Sequence, residues 1–360
     1  MSDLTFFSRR DFLKLAAAGL GSLAISQLGR WFQISDFPKY ERLGRVCRPL
    51  SKVDLKIRPD YESDTVGVLY DDTVVPWLRE VVGRHPGRNN QRYVETPDGF
   101  IWSADLQPVR NLPNIPVEKF PAVTQGKGLW AEVTVPWADL VLDRLPSSPW
   151  LKYRKDNQLP MRLYYSQILW IDQIKKDEQG QVWYRVNERY GSYGDVYWVA
   201  GEAFRVLTEE DMSPIHPDVE DKKVSVQVDW KRQILSCYEG SSEVYFCTIS
   251  SGVEQGSTPK GEHTIWRKLV SLHMSGGTTG GGYDLPGIGW TTLFVGDGVA
   301  IHSTFWHNNF GEPESHGCVN ARPDDAKWIF RWTLPSVTYE PGDVTISGMN
   351  GSTKVNVLEA

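Results

Sequence analysis

Two short runs hold the residue types that acyl transfer needs. Ile301-His302-Ser303-Thr304-Phe305-Trp306 is followed by Ser315-His316-Gly317-Cys318-Val319-Asn320, which puts the cysteine sixteen residues after His302. A cysteine attacks as its thiolate. A nearby imidazole can take the proton while a third group fixes that imidazole's tautomer. Gly317 lets the backbone turn tightly beside the sulfur and present N–H groups to a developing oxyanion. The pattern reads as a nucleophile, Cys318, with His302 as its base. Two plainer readings compete with it. One is a small buried cysteine beside a surface histidine. The other is a zinc site made from His302, His307, His316 and Cys318, since zinc accepts imidazole and thiolate. The zinc set demands a sharp fold between His316 and Cys318.

Reacting groups must be held still, and the flanking pattern supplies the holders. Leu293-Phe294-Val295 and Val299-Ala300-Ile301 read as strands around Gly296-Asp297-Gly298, so His302 closes a strand. Pro323 opens a helix with Asp324 and Asp325 in its first turn, where acids suit the helix dipole. Ala326, Ile329, Phe330 and Thr333 then recur on one apolar face, and Pro335 ends the helix. Upstream, Val224, Val226 and Val228 alternate with polar residues. Gln233 to Tyr238 and Val244 to Ile249 flank Glu239-Gly240-Ser241-Ser242 as a hairpin. The tail from Gly342 to Leu358 returns to β periodicity. Between these parts, Ser275 to Trp290 carries Gly276-Gly277 and Gly280-Gly281-Gly282, the composition of a mobile lid that excludes water. His263 and His273 read as strand or loop positions, His273 close to that lid.

The rest of the chain is organised around small β units. A length of 360 residues, 23 % charged and 40 % hydrophobic, describes a folded chain of more than one domain. Its formal charge of −6 argues against a nucleic-acid partner. Residues 49–112 alternate short strands with turns and end in Phe100-Ile101-Trp102, a barrel-sized meander. Residues 127–212 repeat that layout through Gln181 to Val186, Asp195 to Val199 and Phe204 to Leu207, with Trp102 and Trp198 in equivalent places. Residues 113–126 carry prolines and read as a linker, and Met212 to Lys223 as the next boundary. The basic loop Arg84 to Arg92 either meets an anionic polymer or is solvated. Four cysteines are too few for a disulfide scaffold. Cys237 and Cys247 flank the hairpin, and pairing and two buried thiols both remain open.

At the N-terminus, Ser8-Arg9-Arg10-Asp11-Phe12-Leu13-Lys14 precedes the apolar run Leu15 to Leu28, 14 residues long. That is shorter than the 18 or so of a spanning helix. A paired-arginine start and a short apolar stretch form a twin-arginine export signal over residues 1–30, with 31–48 as a linker. No A-x-A cleavage site is evident, so a retained signal would serve as an N-terminal membrane anchor. The expected location is outside the cytoplasmic membrane, at its outer face or in the cell wall.

The motif "SHGCVN", with "IHS" upstream, resembles the signature of the YkuD-type L,D-transpeptidases. "STPKGEHTI" is similar to that family's turn and strand, and "KVSVQVDWKRQILSCYEG" to its first hairpin. The likeness spans residues 222–357. "LKIRPDYESDTVGVL" and "GFIWSADLQPV" in turn resemble a bacterial SH3-like domain. The resemblance implies a mainly β protein: a YkuD-type β-sandwich catalytic domain preceded by one or two small SH3-like β-barrels. It implies peptidoglycan stem peptides as donor and acceptor, and neither cofactor nor metal. Cys318 would be the nucleophile and His302 the base. Ser303 would orient the imidazole through its carbonyl, and His316 would hold the loop or contact substrate. The N–H groups of Gly317 and Cys318 would face the oxyanion. Tyr283 on the lid, Trp306, Ser315 and Asn320 would contact substrate, with Asn320 fixing the loop or binding a carboxylate. Hydrolysis of the same thioester would make a carboxypeptidase, and an inert last domain would leave a wall-binding protein. The sequence carries no signal for oligomeric state.

Overall fold

The computed structural model describes residues 45–276, 282–296, 298–348 and 351–359. The expected export signal, the first part of the expected linker and the centre of the glycine-rich stretch lie outside the described residues. All the described residues fall within the unit Tyr40–Ala360. Among the described residues, no helix is long and apolar enough to cross a membrane.

The first module joins a five-stranded sheet to a three-stranded one. The larger runs in the order Thr65–Leu69, Val53–Lys56, Gly99–Trp102, Arg92–Thr96, Arg79–Val82. The smaller is Val75–Pro76, Val46–Pro49, Leu106–Val109. Their shared core includes Cys47, Val53, Leu55, Trp77, Val94 and Ile101. Strand Val46–Pro49 begins inside the stretch expected to be linker. All four of its residues are buried, so it carries no alternation to betray it.

The second module is a seven-stranded sheet in the order Arg162–Tyr164, Trp137–Leu142, Val196–Ala200, Val182–Asn187, Ile168–Lys176, Leu129–Val133, Phe204–Val206. Strand pairing in both modules follows one plan. In each, the first strand pairs with the last, and the last is entered through a one-turn 3-10 helix, Ser103–Asp105 or Gly201–Ala203. Aligning those turns sets Trp102 against Ala200, so Trp198 lies two positions off the expected equivalence. The second module also inserts a helix α1, Pro149–Asp156, in which only Leu151 is buried.

Among the described residues, the C-terminal domain has ten strands: β1 Lys222–Asp229, β2 Arg232–Glu239, β3 Ser242–Thr248, β4 Gly261–Thr264, β5 Arg267–Gly276, β6 Tyr283–Leu293, β7 Ala300–Ser303, β8 Val319–Ala321, β9 Asp343–Thr345 and β10 Lys354–Leu358. They form two five-stranded sheets, β3-β2-β1-β10-β4 and β8-β7-β6-β5-β9. Helix α2, Pro323–Trp332, starts at the expected proline and buries Ala326, Ile329, Phe330 and Trp332. Its C-terminus is tied down by two lysines. Fully buried Lys268 on β5 donates to the carbonyls of Phe330, Thr333 and Pro335 at 2.5, 2.7 and 2.7 Å. Lys222 donates to Trp332 and Ile215 at 2.8 and 2.9 Å. Buried ammonium groups there satisfy carbonyls that a helix end leaves open and complement its dipole. Cys237 and Cys247 are both buried free thiols.

Neither module hangs free. Trp130, Ile168, Trp170, Leu207 and Met212 of the second lie in one core with Val224, Trp290, Ile301 and Phe330 of the C-terminal domain. Gly342 is needed there, because a Cβ at φ +76° would meet the Trp130 ring at 2.7 Å. The first module docks through polar contacts, most of them from the basic loop. Asn90 N–H donates to Glu312 at 2.8 Å, and its side-chain amide to Asn309 at 3.0 Å. Arg88 pairs with Glu312 at 3.3 Å, and Asn308 donates to the Ser103 carbonyl at 3.1 Å. Much of that loop is therefore an internal interface.

The β5–β6 hairpin is fastened to the second module by a buried charge cluster. His273 bonds Glu188 through Nδ1 at 2.7 Å and Asp284 through Nε2 at 2.5 Å. Asp284 also accepts from Trp150 N–H, and Glu188 from Gly287 N–H, each at 2.9 Å. Burial opposes a charge on His273, but the bonds from Asp284 and Glu188 outweigh it and push its pKa up to about 9. A group raised on folding stabilises fully below its unfolded pKa, and that contribution is lost as pH climbs through the folded value. Thermal melting at pH 6.5 and pH 10 should therefore show an alkaline loss of stability that is smaller in His273→Gln. Equal losses in both proteins would contradict the clamp.

Candidate active site

Strand β7 is buried along its whole length and runs parallel to β8, pairing Ile301 with Val319, His302 with Asn320 and Ser303 with Ala321. Side chains on a strand repeat every two residues, so Cys318, two before Asn320, comes to the face that carries His302. A hydrogen bond from the Ala300 backbone to the sulfur fits this register, and the Gly298 carbonyl lies 3.8 Å from Sγ.

His302 Nδ1 lies 2.9 Å from the carbonyl oxygen of Ser303. A carbonyl only accepts, so Nδ1 carries the proton and Nε2 is left with its lone pair. Burial lowers the His302 pKa to about 4, against a smaller opposing effect of the Ser303 carbonyl. Burial likewise raises the Cys318 thiol, partly offset by the Ala300 N–H. The resting pair is therefore a neutral thiol with a neutral imidazole. In such a pair, proton transfer would accompany an attack by the sulfur rather than precede it.

The turn bearing Cys318 is held from two sides. Thr258 donates its hydroxyl to the Gly317 carbonyl at 2.8 Å and accepts from Gly252 N–H at 3.0 Å. Thr258 belongs to the "STPKGEHTI" run, yet nothing in the pattern foretold this contact. Gly317 has φ +151°, and a Cβ there would lie 2.5 Å from the Ser257 carbonyl oxygen, so the position admits only glycine. Ser315 is buried, accepting from Gly317 N–H at 3.0 Å and donating to the Cys318 carbonyl at 2.6 Å. This corrects two expectations. Ser315 braces the turn rather than facing substrate, and the Gly317 N–H expected for the oxyanion is already engaged by it.

The remaining predicted residues divide between rim and interior. Exposed His316 packs on Tyr283, ring centroids 5.4 Å apart, and Tyr283 is close enough to Cys318 for the sulfur to help raise its hydroxyl's pKa after burial. Trp306 is half-buried with its ring 5.7 Å from that of His302. Asn320 is 1 % exposed and lies 2.8 Å from His307 Nε2, an interior contact that suits fixing the loop rather than holding a substrate carboxylate. His307 was read only as part of a zinc set, but it is a buried post. Its Nδ1 accepts from Asn309 N–H at 3.2 Å. That leaves the ring proton on Nε2, so the Asn320 amide must turn its oxygen to His307. The other end of that amide has no partner. With both of its nitrogens engaged inside the protein, His307 has none to offer the zinc set. Among the described residues, no group of three or more His, Cys, Asp and Glu is arranged to hold a metal.

Residues 223–357 match the YkuD family, the L,D-transpeptidase catalytic domain. YciB of Bacillus subtilis (strain 168), whose name assigns it provisionally to the L,D-transpeptidases, is 27 % identical over 128 residues, 32 % of this chain and 63 % of that protein. Among solved structures, an Enterococcus faecium L,D-transpeptidase is 26 % identical over 40 % of this chain and 52 % of its own, with a TM-score of 0.30. An L,D-transpeptidase from Mycobacterium smegmatis is 15 % identical over 52 % of this chain and 98 % of its own, TM-score 0.31. The chain thus spans less than two thirds of YciB and about half of the E. faecium structure.

The site geometry makes Cys318 distinguishable from its fellows. Cys47, Cys237 and Cys247 are buried, and Cys318 is half-exposed. Iodoacetamide on the folded protein should give a single adduct at Cys318 by intact mass and peptide mapping. Its rate should still be rising at pH 9, because burial lifts the thiol. A plateau below pH 7 would mean a pre-formed thiolate and contradict the neutral pair.

Proposed function

We propose that this chain is an exported, cysteine-dependent L,D-transpeptidase of peptidoglycan. The observation that supports it best is the parallel register that sets His302, its tautomer fixed by the Ser303 carbonyl, beside the strand that Cys318 immediately precedes. The family match over residues 223–357 agrees with this reading.

In this reading, Cys318 attacks the carbonyl between the third residue of a donor tetrapeptide stem, a diamino acid, and its terminal D-Ala. His302 Nε2 takes the thiol proton as the carbon–sulfur bond forms, then passes it to the departing D-Ala amine as the carbon–nitrogen bond breaks. A thioester remains. The side-chain amine of a neighbouring stem attacks that carbonyl, His302 accepts its proton, and the thiolate leaves and is reprotonated, giving a 3→3 cross-link. With Gly317 N–H held by Ser315, the Cys318 N–H is the remaining backbone donor of the original pair for the oxyanion, and Tyr283 stands beside it as a candidate second donor. His316 and Trp306 would form the rim that admits the stems. Residues 1–30 would export the chain to the cell wall or the outer face of the cytoplasmic membrane. The two β modules would be SH3-like barrels that carry the catalytic domain.

Incubation with a disaccharide-tetrapeptide, followed by mass-resolved chromatography of the products, tests this. The expected product is a 3→3 linked dimer with release of D-Ala. Tripeptide monomer alone would make the enzyme a carboxypeptidase, with water replacing the acceptor amine. No turnover, with binding to isolated cell wall intact, would leave a non-catalytic wall protein.

A further inference from the structure

The first module contains a cleft that the chemistry above does not use. It has a volume of about 470 Å³ and lies between strand Val53–Lys56 and the 3-10 turn Ser103–Asp105. One wall is a run of three rings. Tyr61 and His85 have centroids 4.7 Å apart, and His85 and Trp102 4.2 Å apart. The inner end is anchored, because Trp102 donates its indole N–H to the Asn90 carbonyl at 2.9 Å. The outer end is open, with Tyr61 57 % exposed. Asp105 also lines the cleft, half-buried, and receives no side-chain hydrogen bond among the described residues. Burial raises its pKa to about 6, and nearby Glu314 adds to the rise while Arg88 opposes it.

Such a combination asks for a ligand. A half-buried carboxylate with no donor in the protein is an acceptor free for a ligand's hydroxyl. An aromatic wall with a few convergent polar groups is the usual make-up of a small-ligand site. A sugar ring meets both demands at once, with C–H groups on its flat face for the rings and hydroxyls at its edge for a carboxylate. A polyanion fits poorly, since Asp54 and Asp105 both line the cleft. A simple ammonium fits poorly as well, since Lys52 and Lys56 share the lining.

We propose that this cleft binds the glycan strand of the wall, seating an N-acetylhexosamine ring against Tyr61 with its hydroxyls on Asp105. This rests on the reading of the chain as a peptidoglycan enzyme and adds a glycan site to its peptide site. The cleft is coupled mechanically to the loop between His302 and Cys318. Ser103, which opens the turn carrying Asp105, accepts from Asn308 at 3.1 Å, and Asn90, which holds Trp102, also holds Glu312. A strand bound there is held by the same module that braces the catalytic loop.

The test is calorimetric titration of the full chain carrying Cys318→Ala with an N-acetylglucosamine tetramer. Saturable 1:1 binding is expected, weakened about tenfold or more in both Tyr61→Ala and Asp105→Asn. Both changes lie at the cleft surface, and unchanged melting temperatures would confirm intact folds. Absence of binding, undiminished binding in both variants, or displacement of the sugar by a free stem peptide would each overturn the proposal. Failure here with 3→3 dimers still formed by the unsubstituted enzyme would sink the glycan site alone. Glycan binding without any turnover would sink the transpeptidase reading alone.

Discussion

The site depends on a parallel ladder only three residue pairs long, in which β7 and β8 lie side by side. Parallel neighbours cannot be joined by a tight turn. The chain must leave β7 after Ser303, travel through residues 304–318 and return in the same direction. That excursion contains no regular strand or helix of its own. Its shape is imposed by groups that hydrogen-bond inward: Asn308, Asn309 and Glu312, all nearly fully buried. Glu312 is a carboxylate with 1 % of its side chain exposed, and such a charge is tolerable only when paired. Its partners, Asn90 and Arg88, come from the first module. Removing them would leave a buried charge in the loop that links His302 and Cys318.

The second module plays the matching part on the other side. Its Glu188 reaches His273 and Gly287 on the β5–β6 hairpin, and its Gln167 donates to the Pro286 carbonyl at 2.6 Å. It also shares a hydrophobic core with the C-terminal domain, so the two cannot part without exposing Trp130 and Trp170 to water. The two modules thus grip the loop and the hairpin that frame Cys318. Their role in the fold is structural support for the site, whatever they bind besides.

How much of this was readable beforehand follows from where the information sits. Strand β1, hairpin β2–β3 and helix α2 were legible because their patterns are local: alternating valines, a Gly-Ser turn between two strand-like runs, and an apolar stripe behind Pro323. The strand that carries His302 was legible from the apolar run before it. Strand Val46–Pro49 was not, because a strand buried on both faces has no alternation. Helix α1 was not, because a helix burying only Leu151 has no apolar stripe. The docking of Arg88 and Asn90 was invisible, since their partners are polar residues more than two hundred positions away. The same limit hid the work of Ser315. Its neighbourhood suggested a substrate contact, and only the folded turn shows both bonds of its hydroxyl directed inward.

What remains is the chemistry of one sulfur. Burial keeps Cys318 protonated and His302 neutral, so reactivity must come from placement: an imidazole whose Nε2 lone pair is fixed by Ser303, and a turn that only glycine can make at 317. Intact-mass spectrometry of the protein during incubation with a tetrapeptide stem is the most direct test. The account predicts an adduct equal in mass to the donor less D-Ala, mapping to Cys318, absent in Cys318→Ala and formed far more slowly in His302→Ala. An adduct that persists in Cys318→Ala, or forms equally fast without His302, would contradict it.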